Sequence, residues 1–547
     1  MLEDIDELRT VILEDGESDH VDSNGNGNSD ETSCVLFGEQ VAESISFQQV
    51  LSKFLPPRAE ADRLIATYFR AKAVVAPFIH SMQFRGLYKL FWNDPSSASP
   101  LWTAMLFTVL DISTRTLSAN PNPGAGEINR SDRFATAAAH CLAIGAYHKP
   151  QQFVVEALLL YVQSVCLTTV DMPPVVGILM STVVRLATIM GYHRDPDGYK
   201  GGISVFEGEM RRRTWSHCLQ MDMLVSFQFG IPANVQFPTW DTRQPTNLLD
   251  TDFDENTVSL PPARPESEPT ELRFYIAKHR LMTIFEKVIR HTLSTRDQPE
   301  DEVVSIEQEL RDTYINLPAV FHPRSMEDSV IDPPSIIVAR LCVTFIYQKS
   351  LCVLHRKYVA RGRQSSIFRC HASASDLVRQ MADIHKKFEP DGQLCTERWF
   401  MGSITWHDFL LGCTALCLVL CSVQRHATEL SAVLDIAGSL NLLREAKTVC
   451  EEHLTRSKDT RKVHRMLDVS TQRFSSFGYG GNLETQSFLQ NGHDLTFDEY
   501  CQTMLSAEGS TDWLWNENTI APFGNSGWTL PDQTLDFANG DFIASSY

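Results

Sequence analysis

The sequence predicts an all-α fold: one large multi-helical body, expected over residues 51–473, between disordered acidic ends at 1–50 and 474–547. Three observations predict it. Apolar residues recur at helical spacing in one segment after another. Proline, glycine and short polar clusters separate those segments, and no extended apolar–polar alternation marks a strand. At 43% hydrophobic and 10% aromatic, the 547 residues can fill a large core, which excludes disorder throughout.

The net charge of -20 belongs to the ends. Residues 1–43 hold 13 Asp or Glu and one base, Arg9; residues 474–547 hold 10 acids and no Lys or Arg; 45 acids therefore face 47 bases in a nearly neutral body. The start has no basic-plus-apolar signal pattern, and the apolar runs at 153–167 and 411–421 are too short or too interrupted to cross a membrane. A reducing interior is expected for the thirteen cysteines.

Order is expected to begin near Phe54. Pro56 and Pro57 precede a helix in which Leu64, Ile65, Tyr68 and Phe69 share a face, and a second helical run starts at Leu101 after the polar turn at 94–100. Residues 124–130 read as a loop. Helices follow at 131–148, capped by Ser131 or Asp132, at 152–168, and at 175–190. Pro173 and Pro174 separate the last two, and Gly191 is placed to end the third.

Residues 206–228 predict a helix with Phe206, Met210, Cys218, Met221, Leu224 and Val225 near one face and a Glu209–Arg213 pair on its polar side. The Pro-, Asp- and Asn-rich stretch 230–270 reads as an extended connection. Further helices are expected at 271–291, 335–357, 372–388, 406–424 and 431–454.

The chemistry expected of this sequence is sparse. There is no C-x-x-C, and Cys34 stands alone before Cys141, so no zinc cage and no other metal or cofactor site is expected. Cys413, Cys417 and Cys421 share a helical face and read as packed core. The sequence lacks a phosphate loop, a nucleophile elbow, a zinc-protease motif and a dinucleotide fingerprint, and no catalytic residue is assigned. His193 with Asp195, and His217 with Asp222, read as interhelical hydrogen-bonding groups.

Arg211, Arg212 and Arg213 point different ways around their helix, so pairing and surface solvation are favoured over phosphate contact. The basic run from Arg456 to Arg465 suits either a helix end or a nuclear import signal. In 474–547, Trp513, Trp515, Phe523, Trp528, Phe537 and Phe542 stand among acids, the composition of an activation or partner-binding segment.

Six stretches, in order, resemble the regulatory middle homology region of fungal zinc-cluster transcription factors. They are FLPPRAEADRL (54–64), PFIH (77–80), PLWTAMLF (100–107), MGYHRDP (190–196), FEGEMRRRTW (206–215) and DTRQPTNLLDTDF (241–253). The resemblance implies an all-helical regulatory domain, action in the nucleus, and control of a pathway or biosynthetic gene set. It carries over Gly191, His193, Arg194, Asp195, Glu209, Arg211, Arg212, Arg213 and Trp215 as regulatory-fold elements, with no catalytic role. Ser216 stands where relatives often carry a second tryptophan, and the six-cysteine DNA-binding cluster has no counterpart here.

The sequence therefore points to a regulator acting through protein partners: a DNA-binding or homologous transcription factor and the transcription machinery. Direct DNA binding by this chain alone is not expected. The other account of the departure is a cysteine cluster encoded upstream of the given start. A small-molecule effector between helices is compatible with this reading. A helical pathway enzyme or ligand-binding protein reusing the fold is the alternative.

Overall fold

A computed structural model describes residues 45–71, 76–116, 125–198, 202–235, 239–268, 270–294, 299–389, 391–426 and 434–476. Among these residues the regular structure is helical, with no strand. Residues 1–44 and 477–547, including all six tail aromatics named above, lie outside the described residues.

The chain opens with α1 (Phe47–Phe54), ahead of the expected start of order. Its signal is an S-x-x-Q capping box: Ser46 Oγ accepts from the Gln49 amide at 3.3 Å, and Gln49 Oε1 accepts from the Ser46 amide at 2.8 Å. α2 (Arg58–Arg70) follows the two prolines, and α3 (Ser81–Asn93) lies in a stretch left unassigned from sequence. α4 (Pro100–Thr116) follows the polar turn, where Asp94 accepts from the Ser96 amide.

α5 (Ala125–Ile144) begins inside the expected loop 124–130. Glycine costs a helix only about 1 kcal/mol relative to alanine. Burial of Phe134, Ala137, Ala138, Cys141 and Leu142 outweighs that signal. α6 (Val154–Thr168) and α7 (Val175–Ile189) lie within two residues of their expected bounds. Gly191, at φ 78°, closes α7: its amide donates to the Thr188 carbonyl and the Tyr192 amide donates to that of Ala187.

α8 (Val205–Gln228) is the central helix. All its residues but Val205, Glu207 and Arg211 are buried, so it is not the one-sided helix that the apolar spacing suggested. After the irregular connection come α9 (Leu272–Thr292), the unanticipated α10 (Glu300–Ile315), α11 (Pro334–Ala360) and α12 (Gln364–Ile384). α13 (Ser403–His426), α14 (Ile436–Glu451) and α15 (Lys458–Ser476) complete the body.

The expected basic run forms the beginning of α15. Ser457 caps it, accepting from the Thr460 amide at 2.8 Å. Asp171, in the α6–α7 link, accepts from the Lys458 amide at 2.8 Å and from the Ser457 hydroxyl at 2.5 Å. The Trp406 indole donates to Thr460 Oγ1 at 2.7 Å.

One continuous core joins the helices from α1 to α15. α4 packs on α2, α5 and α6; α11 packs on α9, α12 and α13; α8 and α13 connect the two groups through α6, α7 and α9. At Gly402 an added Cβ would lie 2.5 Å from the Cys166 carbonyl oxygen, so only glycine lets the start of α13 sit on the end of α6.

α11 and the 403–423 part of α13 are long and apolar enough to cross a membrane, because α13 begins well before the apolar run seen in sequence. Their apolar windows are 72% and 83% buried inside the body, and Lys349 of α11 pairs with Asp408 of α13, the pattern of core helices. Cys413, Cys417 and Cys421 are buried on α13 as expected, and burial pushes the Cys413 thiol well above its ordinary range.

Candidate functional site

The resemblance-bearing residues converge where α8 meets the end of α7 and the irregular connection. Arg211, Arg212 and Arg213 leave α8 in three directions, as successive residues 100° apart must. Arg211 Nε donates to Glu207 at 2.9 Å, its Nη1 donates to the Met190 carbonyl at 3.3 Å, and its guanidinium lies 4.9 Å from the Tyr192 ring centre.

Arg212 turns to the 195–197 turn. It makes a forked pair with Asp195, from Nε at 3.0 Å and Nη2 at 2.8 Å, and reaches Asp197 at 2.8 Å. Arg243, from the connection, joins Asp195 and Asp197 from outside. Burial alone would raise the Asp195 carboxyl, but hydrogen bonds from Arg212 and Arg243 prevail and hold it well below the usual carboxylate range.

Arg213 is 3% exposed and turns the other way. Its Nη1 donates to Asp250 at 2.7 Å and its Nη2 to the Leu248 carbonyl at 3.3 Å, with the Phe253 ring 4.9 Å away. Asp250 in turn accepts from the Ser81 amide at 2.7 Å, tying the connection to the start of α3.

Glu209, at 0% exposure, lies 3.6 Å from Arg213 and accepts from both the amide and the hydroxyl of Thr246, at 2.9 and 3.0 Å. Burial lifts its carboxyl above the usual range against the pull of Arg213. The Glu209–Arg213 pair is therefore not on a polar surface; both members are interior and anchor a loop.

Arg194 pairs with Asp241 at 3.2 Å, and Asp241 also accepts from the Asp195 amide at 2.9 Å. The His193 and Trp215 rings lie 6.2 Å apart, with Trp215 buried. In this clasp six carboxylates (Asp195, Asp197, Glu207, Glu209, Asp241, Asp250) face five guanidiniums (Arg194, Arg211, Arg212, Arg213, Arg243). Such a set leaves no surplus of positive charge for phosphate, and the solvated-surface reading of Arg212 and Arg213 is corrected.

The paired acid–base readings fare differently. Asp222 accepts from the Asn234 side chain at 2.7 Å and the Val235 amide at 2.9 Å, fixing the exit of α8. His217 makes no hydrogen bond through either ring nitrogen, contrary to the interhelical role expected of it. Among the described residues, no group of three His, Cys, Asp or Glu is arranged to hold a metal ion.

Beside the clasp lies a cavity of about 390 Å³, lined in part by Trp102, Phe153, Glu156, Tyr192 and Arg211. Its size is that of a small-molecule pocket. Glu156 Oε1 accepts from the Tyr192 hydroxyl at 2.9 Å, while its buried Oε2 has no partner. Phe153, at φ 67°, holds a left-handed conformation uncommon outside glycine. Tyr192, Arg243, Thr246 and Asp250 belong to the resemblance-bearing stretches, yet sequence alone assigned them no role. Their partners lie on segments that meet only when the connection folds back.

Residues 65–318 match the family described as fungal specific transcription factor domain. The chain is 31% identical over 498 residues to the equisetin cluster transcription factor of Fusarium heterosporum, covering 87% of this chain and 70% of that one. It is 32% identical over 502 residues to the fusarisetin A cluster transcription factor of Fusarium sp. (strain FN080326), covering 87% and 65%. A Zn(2)-C6 fungal-type transcription factor of Monascus ruber is 32% identical over 403 residues, covering 72% and 49%. The chain thus spans from 49% to 70% of the length of these three relatives.

Proposed function

The chain belongs to the fungal zinc-cluster transcription factors, and from that premise we propose that it regulates a biosynthetic gene cluster from the nucleus, working through protein partners. It is a regulator of transcription and not an enzyme, so the pathway-enzyme alternative falls. The observation that carries the cluster assignment is similarity along 87% of the chain to two cluster transcription factors.

The partner-dependent mode rests on charge and on cysteines. The clasp arginines are committed to carboxylates, and the 547 residues contain no closely spaced cysteine cluster with which to read bases. The grip on DNA then comes from outside the 547 residues given: a homologous or other DNA-binding transcription factor is the source proposed here, and a cysteine cluster encoded upstream is the other. Exposed Arg456, just before α15, and Lys458, Arg461 and Arg465 in its first turns suit nuclear import.

The body at 51–473 serves as the regulatory domain between an acidic leading segment and the 474–547 tail. In that tail Trp513, Trp515, Phe523, Trp528, Phe537 and Phe542 would enter grooves of the transcription machinery. The 390 Å³ cavity offers a place for a small-molecule effector.

Disrupting the gene should lower transcripts of one biosynthetic cluster while leaving conversion of a supplied intermediate intact; unchanged transcripts would remove the assignment. Residues 474–547 fused to an unrelated DNA-binding domain should activate a reporter, and silence there would remove the activation role. Sequence-specific promoter binding by the purified chain without a partner would overturn the partner-dependent mode.

A further inference from the structure

Farther along α8 lies a second cavity, of about 90 Å³, bounded by α6, α8, α9, α11 and α13. Met221, Leu224, Phe274 and Phe345 supply part of an apolar wall. His217 and Lys278 also line it. His217 is 2% exposed and has no hydrogen-bond partner on either ring nitrogen. Lys278 is 8% exposed and has no carboxylate within ion-pair distance among the described residues.

The carboxylate of the cavity wall, Asp408, is already taken: Lys349 Nζ donates to its two oxygens at 2.8 and 3.0 Å. Lys349 also rests over the Phe227 and Phe285 rings, at 5.6 and 5.2 Å from their centres. Asp408 is thus committed to Lys349, and Lys278 is left without a carboxylate of its own among the described residues. A buried ammonium with no counter-ion is strongly disfavoured, and proteins normally pair such a group or discharge it.

We infer that this cavity is a binding site for a small organic carboxylate, its anionic head paired with the Lys278 ammonium and hydrogen-bonded by His217, its short apolar body packed against Met221, Phe274 and Phe345. The bound acid supplies the missing negative charge and gives His217 a partner. Burial and the nearby Lys278 charge pull His217 down to about 3, so its imidazole stays neutral and keeps one N–H to donate. Burial likewise lowers Lys278, consistent with a lysine that needs a ligand to hold its proton.

The volume is about three times the ~30 Å³ that a water molecule takes in the liquid, which favours a short-chain acid over a drug-sized ligand. The proposal goes beyond the regulatory reading, and binding to the purified protein can be measured whatever genes it controls.

The test is thermal unfolding of the full chain in sodium butyrate, with neutral butyramide and ionic-strength-matched sodium chloride as comparisons. Butyrate should raise the wild-type midpoint by at least about 2 °C above both comparisons. Lys278→Met should lose that increment while unfolding, without ligand, at or above the wild-type midpoint. Lys278→Gln serves as a second variant with the same expected loss, and His217→Phe should reduce the increment. A wild-type shift that butyramide or chloride reproduces, no shift with butyrate, or a full increment retained by a Lys278 variant would each overturn the assignment.

Discussion

In the first half of α8, Glu209, Arg212 and Arg213 are buried and each meets an opposite charge at once, with Thr246, Asp195 and Asp250 completing the set. One turn beyond Arg213, His217 finds no hydrogen-bond partner, and Lys278 beside it has no carboxylate within ion-pair distance among the described residues. The same helix carries both arrangements through the same core. A satisfied network fixes where a loop lies, because any other position would strand its charges. An unsatisfied one leaves a free-energy gain for whatever molecule can complete it.

Four substitutions bear on this contrast. Arg213→Ala should have the largest effect, a loss of about 3–5 kcal/mol in urea unfolding, since it leaves the buried Glu209 only its longer 3.8 Å contact with Arg212 and takes the guanidinium from half-buried Asp250. A cost under about 1 kcal/mol would mean that the first half of α8 is no more tightly built than the second.

Asp195→Asn should cost about 2 kcal/mol near neutral pH, as Arg212 keeps Asp197 but loses its fork. The native carboxyl is held below its ordinary value of 3.8, so its contribution is present above that value and is lost as pH falls through the native one. The gap between wild type and D195N should therefore narrow as acid unfolding is followed from about pH 5 downwards.

Lys278→Met should have the opposite sign. Replacing a buried amine that has no carboxylate of its own by an apolar chain of similar length should raise stability by about 1 kcal/mol in denaturant titration. A loss of similar size would show that Lys278 has a partner in the free protein. Arg211→Ala is the smallest, at about 0.5 kcal/mol, because its pair with Glu207 is an i,i+4 pair with a half-exposed carboxylate. A thermal midpoint indistinguishable from that of Arg213→Ala would abolish the distinction between the three arginines.

The breaks in the fold were plain in the sequence because they are local. Pro173–Pro174 and Gly191 set the limits of α7 through backbone chemistry alone, and 230–270 has too many turn formers to be helical. α1 lies ahead of the expected start of order, although its Ser46–Gln49 capping box is a local signal. In α15 the charges of the basic run mask the buried Val463, Met466 and Leu467 at helical spacing. The clasp was half legible: Glu209 and Arg213 are neighbours on any helix, but Thr246 and Asp250 come from a connection whose return path no local rule supplies. Lys278 gave no signal at all, since a lysine in an amphipathic helix ordinarily faces water.

The contact of Asp171 with the start of α15 has a practical consequence for dividing this protein. That carboxylate accepts from the first amide of α15, at Lys458, and from the hydroxyl of its capping Ser457, 286 residues farther along, and Trp406 relies on Thr460 of the same helix. Shortening the chain anywhere before α15 would therefore damage the α6–α7 link and the α13 core together. Deletions meant to isolate the acidic tail should cut beyond Ser476; an earlier cut would register a folding defect as a loss of regulation.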